Sequence, residues 1–334
     1  MAGQGSETKR RRLCALGLSM LLAPAAAEAH CLVGGRLFPS TLAIDDPCVN
    51  DELRLPGVAA FGTGDQPANR QLEISGEYSK RLFDNVAVTI ARPWIRLSTP
   101  GRAISGFGAI ETGVKYQFLT LPEPEIVVST GFAVEWGKTG RRSLGADPFN
   151  SYSPTVFFGK GFGDLPLSLN ALRPFAITGQ VSYQIPGWRR TVTPTLDDDG
   201  ALGFDVERHP SLLKWGFSLQ YSLLYLRQHV YDFGLPDFFN RLIPLVEFSF
   251  QTPVANTLTS GRKTLGTINP GVVYTQKAWQ LGIEAILPIN RASGKGVGVQ
   301  AQLHLILDEI LPAALTRPII PGGPPNFRRI GDGP

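Results

Sequence analysis

The chain has 334 residues, of which 43% are hydrophobic and only 18% charged, with a mean hydropathy of +0.01 and a formal net charge of +4. Soluble domains usually carry about 25% charged residues, and helical membrane bundles are far more apolar. These numbers suit a protein whose apolar and polar residues alternate, with one face of each segment turned to lipid.

Residues 1–29 read as a Sec-type signal peptide. Lys9, Arg10, Arg11 and Arg12 form the positive region, Leu13 to Ala26 the apolar region, and Ala27-Glu28-Ala29 an A-x-A cleavage site. The apolar region is too short to span a bilayer. A good part of the basic excess therefore belongs to the signal and does not argue for nucleic acid. Cys31 and Cys48 follow in the exported chain. In an oxidising compartment they can close a short loop as a disulfide, two unpaired thiols being the alternative.

Residues 30–69 show no sustained period and are expected to be an irregular lead segment or lumen plug. From residue 70 to 311 the pattern becomes a two-residue alternation in segments of about ten, the length of a tilted membrane-crossing strand. In chain order the segments are 71–80, 86–97, 107–119, 126–136, 154–162, 175–185, 213–223, 243–252, 266–276, 279–289 and 297–307. Residues 225–235 are a candidate for a further strand. In 126–136, Ile126, Val128, Phe132, Val134 and Trp136 share one face with Thr130, against Val127, Ser129, Gly131, Ala133 and Glu135. In 213–223, Leu213, Trp215, Phe217, Leu219 and Tyr221 stand against Lys214, Gly216, Ser218 and Gln220. A helix, turning about 100° per residue, would mix both sets on every face. The fold class is therefore all-β: an antiparallel transmembrane β-barrel of about 12 strands, with 10 as the alternative. The connectors keep a parity almost throughout, the 225–242 stretch being the exception. Short links at 83–85, 121–124, 163–166 and 277–278 alternate with longer ones at 98–106, 137–153, 186–210, 253–264 and 290–296. Trp94, Trp136, Tyr183, Trp215, Tyr274 and Trp279 lie near strand ends, where aromatic girdles form.

A soluble sandwich or lipocalin-like barrel is the rival. Its surface would carry more Lys and Glu than the Gly-, Ser-, Thr- and Gln-rich polar face seen here. The charges on that face are Glu73, Glu77, Glu111, Lys115, Glu135, Lys214, Glu247, Glu284 and His304, all expected to face the lumen. Lys or Arg at the lipid midplane would cost about 2–4 kcal/mol. They serve either a polar solute path or an internal ion-pair network. No catalytic residue, metal site or cofactor is expected: no H-E-x-x-H, G-x-S-x-G or paired-cysteine metal spacing occurs. Asp45, Asp46, Asp51 and Glu52 could hold a divalent cation, but the spacing is not that of an EF-hand, and a solvated turn is the simpler reading. Asp197, Asp198 and Asp199 read as a solvated loop tip. Arg141, Arg142, Arg189 and Arg190 fall in loops placed outside, where they serve either as contacts to lipopolysaccharide phosphates or simply as part of a solvated loop. Residues 312–334, rich in Pro and Gly, read as a disordered tail.

The stretches Thr267-Ile268-Asn269-Pro270-Gly271-Val272-Val273-Tyr274, Trp279 to Asn290 and Gly296-Val297-Gly298-Val299 resemble the closing strands of a family of bacterial outer-membrane proteins, the MetA-pathway of phenol degradation group. Phe38-Pro39-Ser40-Thr41, Asp45-Asp46-Pro47 and Asp51-Glu52-Leu53 resemble its lead segment. The resemblance implies an outer-membrane channel or transporter taking up small, often apolar or aromatic, compounds. Its partners would be the bilayer, lipopolysaccharide, a small solute and the barrel-assembly machinery. A non-conducting structural or ligand-binding barrel is the alternative.

Overall fold

The computed structural model describes residues 31–63, 69–196, 199, 202–257 and 262–326. The expected signal peptide, Asp197, Asp198 and the last eight residues lie outside the described residues. A small hairpin opens the chain, β1 (Leu32–Val33) with β2 (Arg36–Leu37). Then come β3 (Glu52–Gly62), β4 (Arg70–Phe83), β5 (Val86–Thr99), β6 (Arg102–Phe107), β7 (Ile110–Leu121), β8 (Ile126–Trp136), β9 (Ser151–Gly161) and β10 (Phe175–Pro186). A second hairpin, β11 (Arg190–Leu196) and β12 (Leu202–Arg208), precedes β13 (Ser211–Tyr221). Helices α1 (Leu223–His229) and α2 (Asp237–Asn240) lead into β14 (Leu242–Ala255), β15 (Leu265–Thr275), β16 (Trp279–Pro288) and β17 (Gly298–Ile306), followed by α3 (Leu307–Ile310) and α4 (Ala313–Thr316).

All ladders are antiparallel, and β17 pairs with β3, so the sheet closes on itself. Both β6 and β7 pair with β5 and act as one strand interrupted at Gly108-Ala109. Twelve strands therefore form the barrel wall among the described residues, leaving no open edge. Among these residues no helix is long and apolar enough to cross a membrane.

The alternation sorts the two faces as expected. Val156, Val181, Leu219 and Ile283 are exposed on the outside, while Ser129, Thr178, Ser218 and Glu247 are buried on the inside. Because successive side chains point to opposite sides of a strand, one register choice fixes both faces at once. Aromatics continue the outer surface at the strand ends, where Phe238 stacks on Tyr274 (5.1 Å between centroids) and Tyr274 meets Trp279.

Four expectations are corrected. The missing strand is Glu52–Gly62, not 225–235, so the barrel begins at residue 52 rather than 70. Residues 223–229 are helical, started by Ser222, whose Oγ accepts from the Tyr225 amide at 3.1 Å. The 98–106 connector is only the tight turn between β5 and β6, because these strands run on past the expected ends. The 186–210 connector is a two-stranded hairpin rather than an open loop. Both chain ends and the links at 84–85, 122–125, 162–174, 222–241 and 276–278 share one end of the barrel, called the turn end below. Residues 100–101, 137–150, 187–196, 202–210 and 289–297 share the other, the loop end.

Candidate functional site

Twelve strands enclose more space than wall side chains can fill; about eight is the number at which they suffice. Here the lead segment supplies the difference. Residues 31–51 run inside the barrel, with the Cys31–Cys48 disulfide tying their ends together (Cα–Cα 5.5 Å). Phe38, Val33, the two cysteines and wall residues Val127 and Ala176 form a buried apolar cluster. The irregular plug expected for 30–69 is thus confined to residues 31–51.

The plug is fastened to the wall mainly through its backbone, as an irregular buried chain must be. The Glu247 carboxylate on β14, fully buried, accepts from the amides of Leu42 (2.8 Å), Ala43 (2.7 Å) and Ile44 (3.0 Å). Gln280 on β16 accepts from the Ser40 amide at 2.9 Å, and Gln302 on β17 donates to Ser40 Oγ at 3.2 Å. Ser129 on β8 donates to the Pro47 carbonyl. Two wall glycines make the close approach possible. A Cβ at Gly282 would stand 2.5 Å from Leu42 Cδ1, and one at Gly216 2.6 Å from Ile44 Cγ2. At the turn end Arg36 is fully buried. It donates to Glu125 (3.1 Å) and to the carbonyls of Pro174 (2.9 Å) and Arg173, and it lies 3.7 Å over the ring of Tyr225 on α1.

The acidic run is not a solvated turn, because its carboxylates are taken up by donors. Asp45 pairs with Lys115 (2.9 Å) and Arg54 (2.8 Å), and Arg54 also pairs with Glu77. Asp51 pairs with Lys80 and Arg81, and Asp46 accepts from the Cys48 amide at 3.0 Å. Glu52 meets His304 Nε2 at 3.0 Å, both side chains buried. Each carboxylate that enters the lumen has a donor waiting, as burial of charge requires.

The charges expected to line the lumen fall into two groups about the plug. Lys115, Glu247, Glu284 and His304 are buried against it or beside it. Glu284 accepts from Gln300 at 2.6 Å. Glu73, Glu77, Glu111, Glu135 and Lys214 instead line two cavities nearer the loop end. One of about 320 Å³ includes Glu77, Glu111, Lys115 and Lys214, with Asp45 as part of its floor. The other, of about 290 Å³, includes Glu73, Glu111 and Glu135 beneath the 144–146 turn. Thr89, Thr155, Gln180 and Ser182 complete a polar, charge-balanced lining. Reasoning from sequence did not single out Gln117 and Gln280, whose plug partners lie 68 and 240 residues away, nor Arg54, which sits on a strand whose alternation is broken by a register shift.

The tail was expected to be disordered, yet its described part, to residue 326, is bound to the turn end. The Ile320 amide donates to Leu82 O (2.8 Å), the Asp84 amide to Gly322 O (3.1 Å), and Asn85 Nδ2 to Pro324 O (2.9 Å). Arg81 joins Asp308 at 2.8 Å. Burial raises the Asp308 carboxyl above its ordinary range, against the pull of Arg81. Of the outer arginines, Arg141 is taken up by Ser105 O and Ser143, and no ion pair involves Arg142, Arg189 or Arg190 among the described residues.

No protein-family model and no curated protein matches the sequence. Among solved structures, an outer-membrane channel from Pseudomonas putida F1 aligns over 81% of this chain and 99% of its own, with 10% identity and a TM-score of 0.51. The NanC and KdgM porins each align over 75% of this chain at 10% identity, with TM-scores of 0.40 and 0.39, likeness too low to carry an argument. The first of these alignments makes the fold that of an outer-membrane β-barrel.

Proposed function

We propose that this chain is an outer-membrane channel for small solutes, exported by its signal peptide and narrowed by residues 31–51. One observation carries the reading: a closed barrel with an apolar exterior encloses polar, charged cavities that reach the plug from the loop end. A soluble barrel would invert this arrangement, since an exposed apolar band is stable only against lipid. The neighbour from Pseudomonas putida F1, titled an outer membrane channel, supports the same reading. The closing-strand resemblance to the MetA-pathway group extends it to apolar or aromatic solutes. Lipopolysaccharide is the partner proposed for Arg142, Arg189 and Arg190 at the loop end. No enzymatic role is proposed.

The second reading, a non-conducting or ligand-binding barrel, is favoured by the plug itself, whose contacts cross the whole lumen. Planar-bilayer recordings separate the two. The channel reading expects stepwise conductance from the folded full-length protein, together with solute entry into proteoliposomes. A folded barrel that passes neither ions nor solutes would leave the binding reading.

A further inference from the structure

The plug is not fastened equally all round. Toward β13–β17 it is held by backbone hydrogen bonds to buried side chains, with Leu42 and Ile44 pressed against glycines of the wall. Toward β4, β5 and β7 it is held by Ser79, which donates to the Asn50 carbonyl (3.0 Å), and by Gln117, which accepts from the Val49 amide (3.1 Å), and a cavity lies on either side of it. The upper one, about 320 Å³, reaches Glu77, Thr89 and Lys115. A lower one, about 510 Å³, reaches Arg81, Asn85 and Gln117 and opens beside the tail at residues 323–326. Those residues lie on β4 and β7 and in the turn that joins β4 to β5. Between the two cavities stands a single layer: Ser79 on β4, Ala87 on β5 and Lys115 itself on β7, all buried. Two residues along a strand advance about 7 Å, so the septum is about that thick.

On the plug side the septum is residues 46–48, and what closes it is Lys115. Its ammonium reaches Asp45 (2.9 Å) and the Asp46 carbonyl (2.8 Å), 4.6 Å from the Phe157 ring centroid. Ser79 and Ala87 are too small to close the gap alone. The Asp45 carboxylate is 29% exposed toward the upper cavity. Lys115 itself is 9% exposed, so water reaches the pair only from the Asp45 side, whereas the Glu247 carboxylate that holds three plug amides is fully buried. The fastening between the two cavities is therefore one that water reaches from above.

Resting on the channel reading above, we infer that solutes pass the plug along the β4–β5–β7 wall, and that the Lys115–Asp45 pair is the gate that sets ion selectivity. The two charges face one passage from opposite sides. Removing either opens the septum, but the charge left behind differs in sign. A plug that had merely come loose would not distinguish them.

The test uses full-length protein carrying Lys115→Ala or Asp45→Asn, with assembly checked by heat-modifiable gel mobility. Conductance and reversal potential are recorded in a KCl gradient. Both variants should conduct several-fold more than the wild type. Lys115→Ala should shift permeability toward K⁺ and Asp45→Asn toward Cl⁻, each by at least about threefold. Ala87→Phe, filling the same layer, should lower the conductance. Shifts of the same sign in both charge variants, or none beside a conducting wild type, would overturn the gate while leaving the channel intact. Silence from the wild type, from every variant and from a chain lacking residues 31–51 would remove the channel reading as well.

Discussion

The two halves of the lumen are lined by the same kinds of residue and differ in what those residues are free to do. Near the loop end Glu111, Glu135 and Lys214 line cavities and form no ion pair among the described residues. Near the turn end Lys115, Arg54, Asp45, Glu52 and His304 are paired, and Glu247 is occupied by three amides. Strand alternation places charges inside in both halves. Whether they structure the protein or remain available to a passing ion is decided by residues 31–51. The lesson is that an inward charge stays unpaired and open to solvent only where no second chain segment claims it.

The largest effect that could break this comparison is removal of the plug. A chain lacking residues 31–51 should still assemble, since the twelve-stranded wall begins at Glu52, and its conductance should rise by an order of magnitude or more. An unchanged conductance would mean that the lower half is not the constriction. Next in size is the disulfide. Replacing Cys31 and Cys48 by serine opens a loop of sequence separation 17, which should cost about 3 kcal/mol in the stability of the lead segment. Limited proteolysis should then cut within residues 31–48 while the barrel keeps its heat-modifiable mobility. Glu247→Gln keeps the shape but withdraws the charge from three hydrogen bonds. It should weaken the plug by about 1–3 kcal/mol, read as more frequent channel openings. The smallest effect belongs to the free half. Glu111→Gln should change ion selectivity by less than about twofold without touching stability, because its carboxylate is solvated.

Much of this molecule was legible before its structure. Segments such as 126–136 and 213–221 declared themselves because one period controls a strand that is apolar outside and polar inside. The inward assignment of Glu73, Glu77, Glu111, Lys115, Glu135, Lys214, Glu247, Glu284 and His304 followed from that period alone. What stayed hidden was non-local or irregular. The first wall strand carries Pro56 and Gly57 where its register shifts between Arg54 and Gly57, so its alternation is broken halfway. Residues 223–229 are apolar enough to pass for a strand, and only Ser222, a good N-cap, signalled a helix. The Pro- and Gly-rich tail has the composition of a solvated chain. Composition cannot reveal that its backbone groups find partners on β4 and the turn after it. The acidic run from Asp45 to Glu52 looked solvated because its neighbours in sequence are not its neighbours in space. Lys115 and His304 arrive from 70 and 252 residues away.

Hydrogen exchange of the Leu42, Ala43 and Ile44 amides in the intact, detergent-solubilised protein tests the seating of the lead segment most directly. Bound to a buried carboxylate inside a closed barrel, they should exchange as slowly as wall amides such as those of β13 and β14. Exchange within seconds, at the rate of an exposed loop, would contradict a lumen narrowed by its own N-terminal segment.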